Sequence, residues 1–281
     1  MPELPEVETV RLGLNQTTLG RQIEGGEVLL PRTIAYPETP TSFLAAIAGQ
    51  EFVEWQRRGK YLLAQLSDRS WLGVHLRMTG RLLWLNRSTL VHKHTRVRLF
   101  SGNKELRFDD QRTFGQMWWV PPQTQVENIV TGLKHLGIEP FDPGFTPAYL
   151  AAKLSKSDRP IKNALLDQAI VAGIGNIYAD EALFLSNIHP QHKSRQLSPA
   201  QVAALHTGII KVLSNGISNG GSTFSNFQDV TGSKGNYIDV AWVFRRTRQP
   251  CKVCGTAIER IKLAGRSSHF CPSCQPYQAI K

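Results

Sequence analysis

Thr95-Arg96-Val97-Arg98-Leu99, followed by Ser101-Gly102-Asn103 and then Glu105-Leu106-Arg107-Phe108, alternates polar and apolar residues on both sides of a turn. A period of two sends one face of a strand to a core and the other outward. Gly and Asn suit a tight reversal, so the stretch reads as a β-hairpin. The same pattern recurs upstream. Residues 81–85, 71–76, 60–66 and 51–55 read as strands, with a Ser67-Asp68-Arg69-Ser70 turn after the third of these. Many short strands with polar turns, between about residues 22 and 121, argue for an antiparallel sandwich. Ahead of them, residues 5–14 read as a helix. Pro5 fits its first turn, acids follow, and Leu4, Val7, Val10 and Leu14 fall near one face.

Downstream the pattern changes. Glu139-Pro140-Phe141-Asp142-Pro143-Gly144 is a cluster of helix and strand breakers and reads as a linker. Beyond it the periodicity is helical. Ser198, Pro199 and Gln201 make an N-cap, a first-turn proline and a capping box, and Val202, Leu205, Ile209 and Val212 carry that helix on an apolar face. Residues 219–239 are polar and glycine-rich, a length of loop that is usually functional. The expected class is therefore α+β with two domains. Residues 1–138 form an N-terminal helix plus antiparallel β-sandwich, 139–144 the linker, 145–240 a helical domain, and 241–281 a cysteine-bearing β-hairpin.

The chain of 281 residues carries 33 Lys plus Arg against 22 Asp plus Glu, a formal charge of +11. That balance points to a polyanionic partner, and nucleic acid fits better than a membrane. No run approaches the ~18 apolar residues of a membrane span, and no basic-then-apolar signal opens the chain. A cytoplasmic, nucleoid-associated protein is expected. The four cysteines are Cys251, Cys254, Cys271 and Cys274, two C-x2-C pairs. This is zinc-ligand spacing. Two disulfides would suit a secreted chain instead. Four thiolates fill a tetrahedral ion and leave no open position, so one structural Zn2+ is expected.

Met1-Pro2-Glu3-Leu4-Pro5-Glu6-Val7-Glu8-Thr9 opens the chain. Removal of the initiator methionine would expose a secondary amine beside a carboxylate. A neutral amine attacks a carbonyl-like carbon and gives an imine, and a neighbouring carboxyl group can move the protons. The plainer alternative is a helix start whose acids complement the dipole. Other constellations carry the same double reading. Arg57-Arg58-Gly59-Lys60 is either a basic strand edge or a place for Lys60 at a phosphate. His75 is a core histidine or a phosphate contact, and Met78 and Phe114 are core residues or wedges that fill a duplex after a base leaves it. Gly173-Ile174-Gly175-Asn176 lacks the third glycine of a dinucleotide fingerprint and reads as a turn into a helix N-terminus suited to a phosphate. Arg266, between the cysteine pairs, is a solvated hairpin tip or a probe of nucleic acid.

The opening nine residues resemble the start of bacterial formamidopyrimidine-DNA glycosylases, which excise oxidised purines such as 8-oxoguanine. The resemblance runs along nearly the whole chain, through Arg57-Arg58-Gly59-Lys60-Tyr61-Leu62-Leu63, His75-Leu76-Arg77-Met78-Thr79-Gly80, Asp109-Asp110-Gln111-Arg112-Thr113-Phe114-Gly115, the segment 172–181 and the zinc hairpin. It implies a bifunctional glycosylase and abasic-site lyase acting on double-stranded DNA that carries oxidised purines. Pro2 is then the nucleophile, Glu3 the proton shuttle and Lys60 a catalytic-site lysine. Met78 fills the space of the everted base, Arg112 hydrogen-bonds the orphaned base and Phe114 wedges beside it. Lys162, Asn176 and Arg266 face the DNA backbone, Arg266 flanking the lesion as one of the catalytic set, and His75 is counted with the DNA-binding residues while staying either a core histidine or a phosphate contact. Segment 172–181 is a helix–two-turns–helix element, and 219–239 folds over the everted base. Thr113 stands where the family often has a basic residue. One lesion per duplex needs only a monomer. Two other readings remain: an endonuclease-eight-type relative specialised for oxidised pyrimidines, and a zinc-ribbon binding paralogue without activity.

Overall fold

The computed structural model of the chain describes residues 1–222 and 229–277. It divides into two compact units, one of Met1–His135 with Gly220–Gly235, the other of Leu136–Asn219 with the chain from Asn236 on.

The first unit opens with α1 (Leu4–Thr17), then β1 (Gly25–Val28), β2 (Ile34–Tyr36) and α2 (Pro40–Ile47). Seven strands follow: β3 (Phe52–Arg58), β4 (Tyr61–Leu66), β5 (Trp71–His75), β6 (Gly80–Asn86), β7 (Thr95–Ser101), β8 (Lys104–Asp110) and β9 (Gln116–Val120), with α3 (Val126–Ile129) after them. The strands make two sheets, ordered β1-β7-β8-β6 and β2-β9-β5-β4-β3. The expected hairpin is β7–β8, which pairs Ser101 with Lys104 and Leu99 with Leu106. Apolar residues of both sheets share one core, Leu62, Val74 and Met117 from one and Leu82, Val97 and Phe108 from the other. That is the sandwich the alternation implied. β2 departs from it, running parallel to β9. α2 departs too, lying in a stretch read only as strands. Thr39 caps it by accepting from Ser42 N at 3.1 Å, Pro40 starts it, and Phe43 and Ile47 bury one face.

α1 runs longer than the pattern 5–14 and lies against β3. Val7, Val10 and Leu14 enter the sandwich core, while the Asn15 side chain bonds both Trp55 N (2.8 Å) and Trp55 O (3.0 Å). Segment 220–235 joins this unit for a physical reason that chain order hides. Val230 is buried in the same core, and its carbonyl accepts from Trp84 N at 2.8 Å. Of the loop 219–239, residues 223–228 lie outside the described residues.

The second unit holds α4 (Pro147–Leu154), α5 (Ile161–Leu165), α6 (Asn176–Leu185), α7 (Pro199–Ser218), α8 (Tyr237–Val240), β10 (Glu259–Leu263) and β11 (Arg266–Phe270). α7 begins at the expected Ser198 capping box. The breaker cluster 139–144 falls within this unit, beginning four residues after His135. Asp142 Oδ1 accepts from Gly144 N at 2.7 Å, closing the cluster into a turn, and Ile138 O accepts from Ala172 N at 3.0 Å. The cysteine hairpin belongs to the same unit, since Cys251, Ile258 and Cys271 pack with Phe184 of α6 and Val243. Among the described residues, no helix is long and apolar enough to cross a membrane.

Candidate active site and metal centre

The N-terminus of α1 is buried chemistry. Pro2 and Glu3 are both buried, Glu3 only 2% exposed. Glu3 N donates to Glu6 Oε2 at 2.8 Å, the return half of a capping box. Glu6 Oε1 in turn accepts from Ser222 N (2.6 Å) and Ser222 Oγ (2.9 Å). Glu6 was legible only as a dipole complement. Its partner lies far along the chain, so the pattern could not show that it ties the 220–235 segment to the helix that carries the terminus.

Burial pushes the α-amine of the first residue below its ordinary 8.0. Glu3 and Glu6 oppose that shift, and Lys60 and Arg112 reinforce it. These four charges therefore act on the terminus together. Lys60 is itself buried, on the turn between β3 and β4 that Gly59 allows at φ +57°. The flanking Arg57 reaches back to α1, with Nε 3.0 Å from Glu8 Oε2, and Arg11 holds the same carboxylate at 2.6 Å. Burial works against the ionised form of Glu8, but Arg11 and Arg57 outweigh it and hold the carboxyl below its ordinary 4.5. The basic run is thus partly a clamp: it fixes the Lys60 turn to the helix that presents Pro2.

His75 ends β5 with its ring buried and Tyr61 packed edge-on at 4.4 Å. Burial, then Arg77 and Lys60, lower its pKa from 6.5 to about 3. The ring is neutral at neutral pH. Its Nδ1 accepts from Arg77 N at 2.9 Å, which leaves the proton on Nε2. A phosphate contact by His75 would be a neutral donor's. The folded pKa is depressed, so the stability that a neutral ring provides is whole above pH 6.5 and is lost as pH falls through 3. Relative to His75→Gln, the wild type should lose about 1.4 kcal/mol for each pH unit below 6.5. Denaturant melts in a pH series check this, and parallel curves for the two proteins would show that the ring is not held neutral.

Met78 and Phe114 are large apolar side chains in the open, 38% and 52% exposed. This is not the core placement their residue types favour. The Arg112 guanidinium lies over the Phe114 ring, 4.9 Å from its centroid. Thr113 has positive φ (+57°), and its hydroxyl accepts from the guanidinium of Arg32. The pairing of β2 with β9 brings Arg32 to that turn. A cation thus stands at the Phe114 turn although position 113 is not basic, and periodicity gave no sign of it.

In the second unit the turns before α6 are held by a side chain that no motif singled out. Gln168 donates to Ile174 O (2.8 Å) and accepts from Gly173 N (3.0 Å). The helix before these turns, α5, ends at Leu165. Asn176 starts α6, and its Nδ2 donates to Ser267 O at 3.1 Å, beside the exposed Arg266. Lys162 is placed differently from expectation. It is fully buried, its Nζ paired with Asp180 Oδ1 and 3.0 Å from Asn176 O, so it does not face a DNA backbone. A buried cation is held by a buried partner. Asp180 completes the link, its Oδ2 accepting from His269 N at 2.9 Å. Lys162 therefore joins α5 through α6 to the hairpin.

The four cysteine Sγ atoms lie within 4.8 Å of one another. Individual separations are 3.4 Å (Cys254–Cys271), 3.5 Å (Cys254–Cys274) and 3.9 Å (Cys251–Cys274). A tetrahedron of Zn–S bonds near 2.3 Å has an edge of about 3.8 Å, so the donor set fits zinc. Val253 N and Cys274 N each donate to a sulfur at 3.4 Å, Cys251 and Cys271 respectively.

Comparison with known proteins decides the family. The formamidopyrimidine-DNA glycosylase N-terminal domain matches residues 1–117, its H2TH domain residues 136–228, and the zinc finger found in FPG and IleRS residues 248–276. The chain belongs to the formamidopyrimidine-DNA glycosylase family. It is 59% identical to the formamidopyrimidine-DNA glycosylase of Nostoc punctiforme, over 100% of this chain and 98% of that one. It is 60% identical to that of Nostoc sp., over 98% and 100%. The complex of Lactococcus lactis Fpg with DNA containing an abasic site superimposes with TM-score 0.90 at 35% identity, covering 98% of this chain and 100% of that one. MutM in complex with DNA containing carbocyclic 8-oxo-G gives 0.90 at 36%, with the same coverage. The glycosylase family's zinc finger together with the sulfur cluster assigns one structural zinc.

Proposed function

We propose that this chain excises oxidised purines from duplex DNA and then cuts the strand at the abasic site it has made. One observation carries the reading: Pro2 and Glu3 are buried beside a Met1 α-amine whose pKa burial lowers and on which Glu3, Glu6, Lys60 and Arg112 act. With Met1 removed, the Pro2 nitrogen is the terminal amine. The same burial favours its neutral, nucleophilic form. The nitrogen attacks C1′ of the nucleotide, and the C1′–N bond to the base breaks as the base leaves with the bonding electrons. Glu3 takes the N–H proton that the attacking Pro2 nitrogen sheds and passes it to the sugar ring oxygen, so the C1′–O bond breaks, the ring opens and an iminium is left between Pro2 and C1′, while the departed base takes its proton from water. The iminium acidifies the C2′ protons. Loss of one expels the 3′ phosphate by β-elimination, and a second elimination expels the 5′ phosphate.

The duplex must release the damaged base first. Exposed Met78 and Phe114 are suited to refill the stack, with Arg112 reading the orphaned base. The lesion-bearing and abasic DNAs named with the relatives are the substrate class expected here.

Borohydride trapping on an 8-oxoguanine:C duplex tests the reading. A reduced adduct located at Pro2 by peptide mass spectrometry is expected. No adduct, from protein that binds the duplex and begins at Pro2, would sink the imine mechanism.

A further inference from the structure

Met78 and Arg112 with Phe114 sit on two different strand connections, β5–β6 and β8–β9. Asp110, the buried last residue of β8, joins them. Its Oδ2 accepts from Gly115 N at 2.7 Å, and its Oδ1 lies 3.2 Å from Arg112 N, so one carboxylate spans the Phe114 turn from end to end. Oδ1 also accepts from the Thr79 hydroxyl, whose oxygen in turn accepts from Arg112 N at 2.9 Å. Thr79 follows Met78 directly. Both turns are also held in conformations with little freedom. Arg77 and Thr113 have φ of +52° and +57°, which side-chain-bearing residues keep only where the surroundings enforce it. Gly80 and Gly115 admit no Cβ, which would come within 2.4 Å of Leu76 O and of Phe108 Cζ respectively.

We propose that Asp110 and Thr79 are positioning residues that lock the two turns into a single wedge, so that Met78, Arg112 and Phe114 enter the duplex as one preformed unit. This rests on the proposed opening of the duplex. Three exposed side chains ordered separately would each lose conformational freedom on DNA. A shared carboxylate sets the backbone beneath them beforehand. The Thr79 hydroxyl is the relay, since from the Met78 turn it donates to the anchor of the Phe114 turn and accepts from the Arg112 amide of that same turn.

Thr79→Val keeps the shape and removes the relay, while Thr79→Ser keeps the relay. Duplex opening is read by stopped-flow fluorescence of 2-aminopurine next to 8-oxoguanine. Imine formation is read by borohydride trapping at a preformed abasic site, which has no base to displace. Thr79→Val should slow both opening and excision by about tenfold, the worth of one intramolecular hydrogen bond. Trapping should stay near wild type, and Thr79→Ser should restore the opening rate. A wild-type fluorescence rise that Thr79→Val matches would overturn the coupling alone. Equal loss in opening and trapping, without rescue by Ser, would overturn it by showing general damage to the fold. No rise from the wild type on the lesion duplex would overturn the opening reading and this inference with it.

Discussion

Glu3→Gln should lower base excision from an 8-oxoguanine duplex by about a thousandfold, the range in which a positioned proton donor contributes. The substitution leaves the local fold alone. Glu3 N still donates to Glu6, and a Gln oxygen can still accept from the Glu6 backbone as the capping box requires. Volume and burial hardly change. What is lost is the exchangeable proton at a group that is 2% exposed, where water is a poor substitute. The loss should be uneven across substrates. Excision needs a proton on the ring oxygen while the glycosidic bond breaks. A preformed abasic sugar already exists partly as the open aldehyde, which the Pro2 amine can attack without that help. Single-turnover excision and borohydride trapping, run side by side, make the comparison. Equal losses on both substrates would assign Glu3 to holding the helix start and not to moving a proton.

The legible and illegible parts of this site differ in sequence distance. Local signals survive translation into structure well: the alternation in 95–108 became β7–β8, Ser198 became a helix cap, and four cysteines at regular spacing became one sulfur cluster. The relations that organise the site are mostly long-range. Glu6 with Ser222, Thr79 with Asp110 and Arg32 with Thr113 each join segments far apart in the chain. No periodicity encodes such pairs, because each is set by strand register or by a loop returning to a distant helix. Lys162 shows the opposite hazard. A lysine near a turn that reads as suited to a phosphate has the right type and the right neighbourhood, yet Asp180 draws it into the interior. The sequence carries both residues. Nothing in it says which lysine a buried aspartate will claim.

Asp180 also explains why losing one cysteine should cost DNA binding outright. Cys251→Ser removes a buried thiolate from the zinc set. Structural zinc typically contributes about 10–16 kcal/mol of apparent binding free energy, and that energy is coupled to folding. Without it the hairpin has two five-residue strands and a small cluster of Ile258, Val243 and Phe184. A lone two-stranded hairpin is marginal in water. Asp180 would lose its bond from His269 N, and Asn176 its acceptor at Ser267 O, so the damage reaches α6 as well as Arg266 at the tip. The sandwich core contains no residue of this cluster, so the first unit should remain folded. The expected result is loss of zinc in a chelator assay together with a drop of at least a hundredfold in duplex affinity, since each lost phosphate contact also weakens the salt-dependent attraction. The N-terminal amine should still be trappable on an abasic oligonucleotide at high concentration. Unchanged affinity in zinc-free protein would remove the hairpin from the DNA interface. Lost trapping alongside lost affinity would mean that the zinc supports the terminus as well as the hairpin.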